Sequence, residues 1–179
     1  MTSELWLVII SAFIAVLSLI GTFIIFNITR HRENYQNLLE RISFYFKSEM
    51  LMAITQLWHH YRKYGDPDFI DKYITIMISE NKKMSTLPTS KRILFQAGTL
   101  HYQRRLVTQF WRGLSILIKN NLVPRKAVYS WWAQDDIDIV SKILIPIENK
   151  LAEYHKVSQY NPKTEPLYFL LNIKNKFHK

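Results

Sequence analysis

From Leu5 to Ile28 the chain runs through LWLVIISAFIAVLSLIGTFIIFNI without a single charged residue. At ~1.5 Å per residue, a helix of about 24 residues covers the ~30 Å hydrocarbon core of a bilayer with a little tilt. A buried helix of a soluble protein is the plainer alternative, but a core helix of that length carries a polar face, and this run has no charged one. A cleaved signal peptide needs a positive leading segment and a small-residue cleavage pattern. Here Met1-Thr2-Ser3-Glu4 is acidic and the run closes on Asn27-Ile28-Thr29-Arg30. The run therefore reads as a retained transmembrane anchor over residues 1–29.

Its flanks predict an orientation. Arg30, His31 and Arg32 follow the span directly, while only Glu4 is charged on the other side. Lys and Arg accumulate on the cytoplasmic side, which predicts a single-pass membrane protein, N-terminus out and the C-terminal domain cytoplasmic. Trp6 suits an outer interfacial anchor. Cysteine is absent, so neither disulfides nor thiolate ligands are available, in keeping with a reducing compartment.

Beyond the span lie all 24 Lys and Arg residues against 13 of the 14 acids, a formal +11. A basic domain held at an anionic leaflet gains adhesion on the order of 1 kcal/mol per residue close to the surface. Nucleic acid is the competing partner for the same charge, and the tether favours lipid.

The remaining pattern is helical throughout, with no strand alternation of useful length and no repeat. It predicts an all-α fold: the membrane helix continues into a small cytoplasmic helical bundle over residues 30–157, followed by a basic amphipathic tail over 158–179. With no breaker between Gly21 and Gly65, the first helix is expected to run unbroken to Gly65. Its apolar stripe is Tyr35, Leu39, Ile42, Phe46, Met50, Ala53, Leu57 and Tyr61, stepping at about 3.7 residues, as in a straight packed helix. Asp66-Pro67 starts a helix ending near Lys82, and the Lys83–Thr89 segment is a polar connection. A third helix is expected from Ser90 to Lys119, ended by Asn120-Asn121. Pro124 opens a brief helix through Trp131-Trp132, and the next spans about Asp135–Val157, bent at Pro146. Thr164-Glu165-Pro166 starts the last piece, which carries Leu167, Leu170, Leu171 and Phe177 with Lys174, Lys176 and Lys179.

Little chemistry stands out. His59 and His60 are adjacent on a helix, so their side chains diverge by about 100° and cannot share one metal. Asp135, Asp136 and Asp138 resemble a divalent-ion cluster but sit where a helix begins, where acids cap free N–H groups and favour the dipole. The four glycines are scattered, so no phosphate-cradling loop forms, and no nucleophile with its base is recognisable. The sequence offers no catalytic residue, metal site or cofactor site. Trp111, Trp131 and Trp132 beside Arg104, Arg105 and Arg112 could form a single-strand nucleic-acid platform, but aromatics in a small helical domain are more often its core.

Three sets of residues are candidates for contact with partners. Ser11, Ala15, Ser18 and Thr22 make a small-residue face on the membrane helix, the kind that lets such helices approach closely. Arg30, Arg32, Arg105, Arg112, Lys174 and Lys176 are candidate lipid or partner contacts. Arg104 is the most unusual: on a helix from Ser90 to Lys119 it shares a stripe with Leu100, Val107, Trp111 and Leu114, beside a more exposed-looking row of His101, Arg105, Thr108 and Arg112. A guanidinium among apolar neighbours is costly unless paired. An internal pair with Asp138, Glu148 or Glu153 is the first expectation, an external phosphate or acidic group the second.

The stretch from His101 to Leu151 resembles part of an uncharacterised family of small bacterial and phage proteins. The resemblance rests on Arg105 and Phe110 in LHYQRRLVTQFWRGLSILIKNNLV, on Trp131-Trp132, and on Leu144-Ile145-Pro146. It implies one N-terminal membrane helix and a helical domain, and brings no activity with it. Together these readings predict a non-enzymatic, membrane-tethered interaction module, an accessory or scaffold subunit that packs on other membrane proteins. The alternative is an anchored effector enzyme or nucleic-acid-acting protein whose site a partner completes, with Asp136 its candidate residue.

Overall fold

The computed structural model describes the backbone of residues 3–66, 68–132, 134–157 and 165–177, and side chains over 14–66, 68–128, 130–132, 136–157 and 165–171. Among these residues the chain is all-α, with no strand. Helix α1 spans Ser3–Tyr45, about 65 Å at the α-helical rise. It is long and apolar enough to cross a membrane, and its apolar window, of mean hydropathy 1.5, is nowhere buried against the rest of the chain. Toward its C-terminal end the same helix turns one face into the bundle core through Leu38, Ile42 and Tyr45.

α1 does not reach Gly65. The chain breaks at Phe46-Lys47, where Lys47 is extended (φ −64°, ψ 142°), and α2 covers Ser48–Tyr64. The break re-phases the buried face. A straight continuation of the Leu38, Ile42, Tyr45 stripe would bury positions near 49 and 52, yet Glu49 and Met52 are exposed; α2 buries Met50, Ala53 and Leu57 instead. The expected stripe is thus right on α2 and displaced on α1, where Tyr35, Leu39 and Phe46 are more than half exposed. Gly65 ends α2 at φ 75°, its N–H donating to the Tyr61 carbonyl at 2.9 Å, a left-handed turn that glycine adopts without steric cost.

α3 (Asp68–Thr86) buries Phe69, Tyr73 and Met77, one face at steps of four. It takes in much of the expected polar connection, which shrinks to Leu87-Pro88. The expected Ser90–Lys119 helix is two: α4 (Thr89–Ala97), with no buried residue, and α5 (Leu100–Lys119), the central element. Gly98 and Thr99 separate them, and the Thr99 hydroxyl caps α5 by accepting from the Tyr102 amide at 3.2 Å, the competing bond that makes Thr a helix starter. α6 (Arg125–Trp131) follows Pro124.

α7 (Gln134–Ile139) passes through a π-helical stretch, Val140–Leu144, into α8 (Ile145–Tyr154). The bend expected at Pro146 takes this form. Proline has no amide to give the preceding turn, and the wider register, with Ile145 N–H donating to the Val140 carbonyl, supplies other donors. α9 (Pro166–Phe177) lays Leu167 and Leu170 into the core, and Ser115 of α5 donates to the Pro166 carbonyl.

The core centres on an aromatic cluster. Tyr45, Phe110, Trp111 and Trp132 have ring centroids 5.3–6.1 Å apart, within the favourable range for tilted and edge contacts. Trp111 and Trp132 are core residues, while Trp131 faces outward, 52% exposed.

Candidate functional site

α5 sets the site, and its own N-terminus is fixed first. Glu80 of α3 reaches over to accept from the Leu100 amide at 2.8 Å and the His101 amide at 3.3 Å. A carboxylate there satisfies otherwise unpaired donors and lies at the positive end of the helix dipole. With rotation fixed, Leu100, Arg104, Val107, Trp111 and Leu114 are all buried, as the sequence stripe requires.

Arg104 pairs with Glu148 of α8, the second of the three acids anticipated. Asp138 holds Lys142 at 2.8 Å instead, and Glu153 is largely exposed near Lys150. The pair extends into a network that sequence reasoning missed. Arg112 donates to Glu148 Oε2 at 3.0 Å and grips Glu165 with two bonds, Nε to Oε1 at 2.6 Å and Nη2 to Oε2 at 3.0 Å. Two-pronged pairing of this kind adds geometric specificity to charge. The side chains of Arg104, Glu148 and Glu165 are 7%, 11% and 10% exposed and that of Arg112 34%, so the charges are largely withdrawn from water and neutralise one another.

The expected exposed row therefore divides. Arg105 is exposed and makes no ion pair among the described residues. Thr108 is fully buried, and His101 and Arg112 are half-buried, because α8 and α9 cover that side of α5. His101 Nδ1 lies 3.0 Å from the Tyr73 hydroxyl. Burial, opposed by Arg104 alongside, pushes the phenol up to about 12. Burial first, then Arg104 and Arg105, pushes His101 down to about 4. Both are neutral at pH 7, and the cation beside the phenol oxygen directs its proton toward Nδ1.

Above the network lies an open cleft of about 390 Å³ whose polar lining is His101, Arg104, Arg105, Arg112, Glu148, His155 and Glu165. Arg104, Arg105 and Arg112 are thus brought together, and among the described residues Arg105 is the one of the three without an ion pair. His155 joins them from the end of α8. Arg30 and Arg32 are exposed elsewhere, on α1. On α1, Ala15, Ser18 and Thr22 are exposed, and the Thr22 hydroxyl donates back to the Ser18 carbonyl at 2.8 Å, a local bond that satisfies the hydroxyl within its own helix. The side chains of Ser11, Asp135, Lys174 and Lys176 lie outside the described residues.

Asp136 accepts from the Tyr45 hydroxyl at 2.7 Å, tying α7 to the end of α1. His60 stacks on Tyr64 at 6.2 Å, with His59 beside it. Among the described residues no three His, Asp or Glu side chains converge as metal ligands would. No family model, curated protein or solved structure matches this chain.

Proposed function

We propose that this chain is a membrane-tethered, non-enzymatic helical interaction module, an accessory or scaffold subunit of a membrane protein complex, with its domain on the cytoplasmic face of a bacterial inner membrane. The observation that carries the reading is the continuity of α1. One unbroken helix presents at one end an apolar stretch that is nowhere buried among its described side chains, and contributes Leu38, Ile42 and Tyr45 to the bundle core at the other. Load or rotation at the membrane is thereby transmitted rigidly to the bundle, as suits a subunit that positions others. Arg30 and Arg32 at the cytoplasmic boundary support the orientation. The acid first considered for catalysis, Asp136, serves Tyr45.

Isolation in mild detergent followed by mass spectrometry tests this: a stoichiometric membrane partner is expected. Ala15→Leu with Ser18→Leu should lower the yield of that complex while leaving insertion intact, since leucine makes the span more apolar. Isolation of the chain alone would count against the reading.

The anchored-effector alternative draws its support from the cleft, where the exposed Arg105 and two imidazoles surround a neutralised floor. Phosphatase or nuclease activity in the purified chain, lost in His155→Ala, would favour it.

A further inference from the structure

The packing of α5 on α1 carries part of the bundle back to the end of the apolar span. Asn37 donates to the Leu122 carbonyl at 3.3 Å. Arg41 covers Gly113, its Nη1 3.3 Å from the position of an added Cβ. The ring of Tyr45 meets Phe110 at 5.3 Å. Rising numbers on α1 thus meet falling numbers on α5, so the two helices run in opposite directions. α5 is about 30 Å long, which puts α4 and its exposed Ile93 and Leu94 at the far end and the α5–α6 loop at the near end.

That loop has the composition of a membrane contact. Lys119, Arg125 and Lys126 are exposed, Leu122 is 41% exposed between them, and Asn121 holds a left-handed turn at φ 55°. A pocket of about 240 Å³ opens where the loop meets α1, lined by Asn27, Arg30, His31, Asn34 and Asn121. Arg125 reaches Asn121 Oδ1 at 3.5 Å. The headgroup zone is about 5–7 Å deep per leaflet and begins where the apolar run ends, at Ile28, so the pocket opens at headgroup level. The acid nearest in sequence is Glu33, set against Arg30, Arg32, Lys119, Arg125 and Lys126.

We propose that the loop from Lys119 to Lys126 is a second membrane contact, in which Leu122, level with Asn37 and about 13 Å beyond Ile28 along α1, reaches the headgroups by tilt of α1 toward the loop, and the pocket between loop and α1 takes the phosphate of an anionic phospholipid. Arg30 supplies the charge, and His31 with the Asn27, Asn34 and Asn121 amides supplies donors to the phosphate oxygens. The cations of the loop follow the leaflet's negative potential, and the apolar tip between them favours a lipid surface over an acidic protein. Two contacts on one bundle fix its rotation about α1, which a single helix cannot do. The inference rests on α1 spanning the membrane.

The absence of cysteine allows a direct test in the full chain. Leu122→Cys carries an environment-sensitive fluorophore, and the protein is reconstituted in phosphatidylcholine vesicles with or without phosphatidylglycerol and a nitroxide-bearing lipid. Quenching is expected at position 122 when phosphatidylglycerol is present, and none at a label on Ile93→Cys. Replacing Lys119, Arg125 and Lys126 by Gln should reduce it to the level of position 93, since each cation is worth about fivefold in loop occupancy. An unquenched position 122 in a chain that resists carbonate extraction overturns the loop contact and leaves the span standing. Release by carbonate overturns the span itself. Equal quenching at both positions, or quenching that ignores phosphatidylglycerol, overturns the proposal as well.

Discussion

Replacing Glu148 by Gln should destabilise the bundle more than removing either arginine it serves. Glu148 is the shared acceptor of Arg104 and Arg112. Without its charge, Arg104 keeps a side chain 7% exposed with no carboxylate beside it, and its Nε already makes no hydrogen bond among the described residues. An uncompensated buried charge costs about 3–5 kcal/mol, or a fall in Tm of about 10–15 °C for a domain of this size. Arg104→Met is milder, about 1–3 kcal/mol, because Glu148 retains Arg112 and Arg112 retains Glu165. Arg104→Met combined with Glu148→Met should then be more stable than Glu148→Gln alone, since an apolar pair replaces a buried ion pair at little or no cost. Thermal melts of the detergent-solubilised chain, followed by far-UV circular dichroism, give the order. A double variant whose loss equals the sum of the Arg104→Met and Glu148→Met single losses would refute a coupled network.

Other substitutions test other parts of the fold. His101 titrates at about 4 in the folded chain against 6.5 when free, so the unfolded chain takes up its proton first. Stability should decline as pH falls from 6.5 to about 4, with no contribution from this group above 6.5, and His101→Asn should flatten that slope in urea titrations. Gly113→Ala should stabilise α5 by about 0.5–1 kcal/mol through helix propensity, because the nearest neighbour is the flexible end of Arg41. A loss of stability would mean that Arg41 is held rigidly. Trp132→Ala should cost about 3–5 kcal/mol, whereas Trp131→Ala, on the exposed side, should change denaturant midpoints by about 0.5 kcal/mol or less.

The features legible in sequence were those with local causes. The uncharged run fixed α1, Gly65 fixed the end of α2, and Pro124 the start of α6. The stripe through Leu100, Val107, Trp111 and Leu114 placed Arg104 in the core and so required an acid, which proved to be Glu148. The break between α1 and α2 has no such cause: no glycine or proline lies there. It satisfies tertiary contacts on either side, with Tyr45 in the aromatic cluster and Glu49 accepting from the Tyr102 hydroxyl at 3.0 Å. The break before α5 did have a signal, Gly98 followed by the capping Thr99, but the apolar pattern running through it reads as one helix. Glu165 precedes Pro166 and reads as a helix start; only the docking of α9 on α5 brings it to Arg112. Likewise, His101 and His155 meet only because α8 packs beside α5, a pairing that no spacing in the sequence announces.

On the proposed reading, α1 crosses a membrane and holds the whole bundle on one side of it. Protease treatment of intact and lysed spheroplasts, with the C-terminal domain detected by antibody, tests it most directly. The expected result is a domain protected in intact spheroplasts and digested after lysis, with the chain retained in the carbonate-washed membrane fraction. Digestion without lysis would contradict the orientation, and recovery of the full-length chain in the carbonate wash would contradict the span.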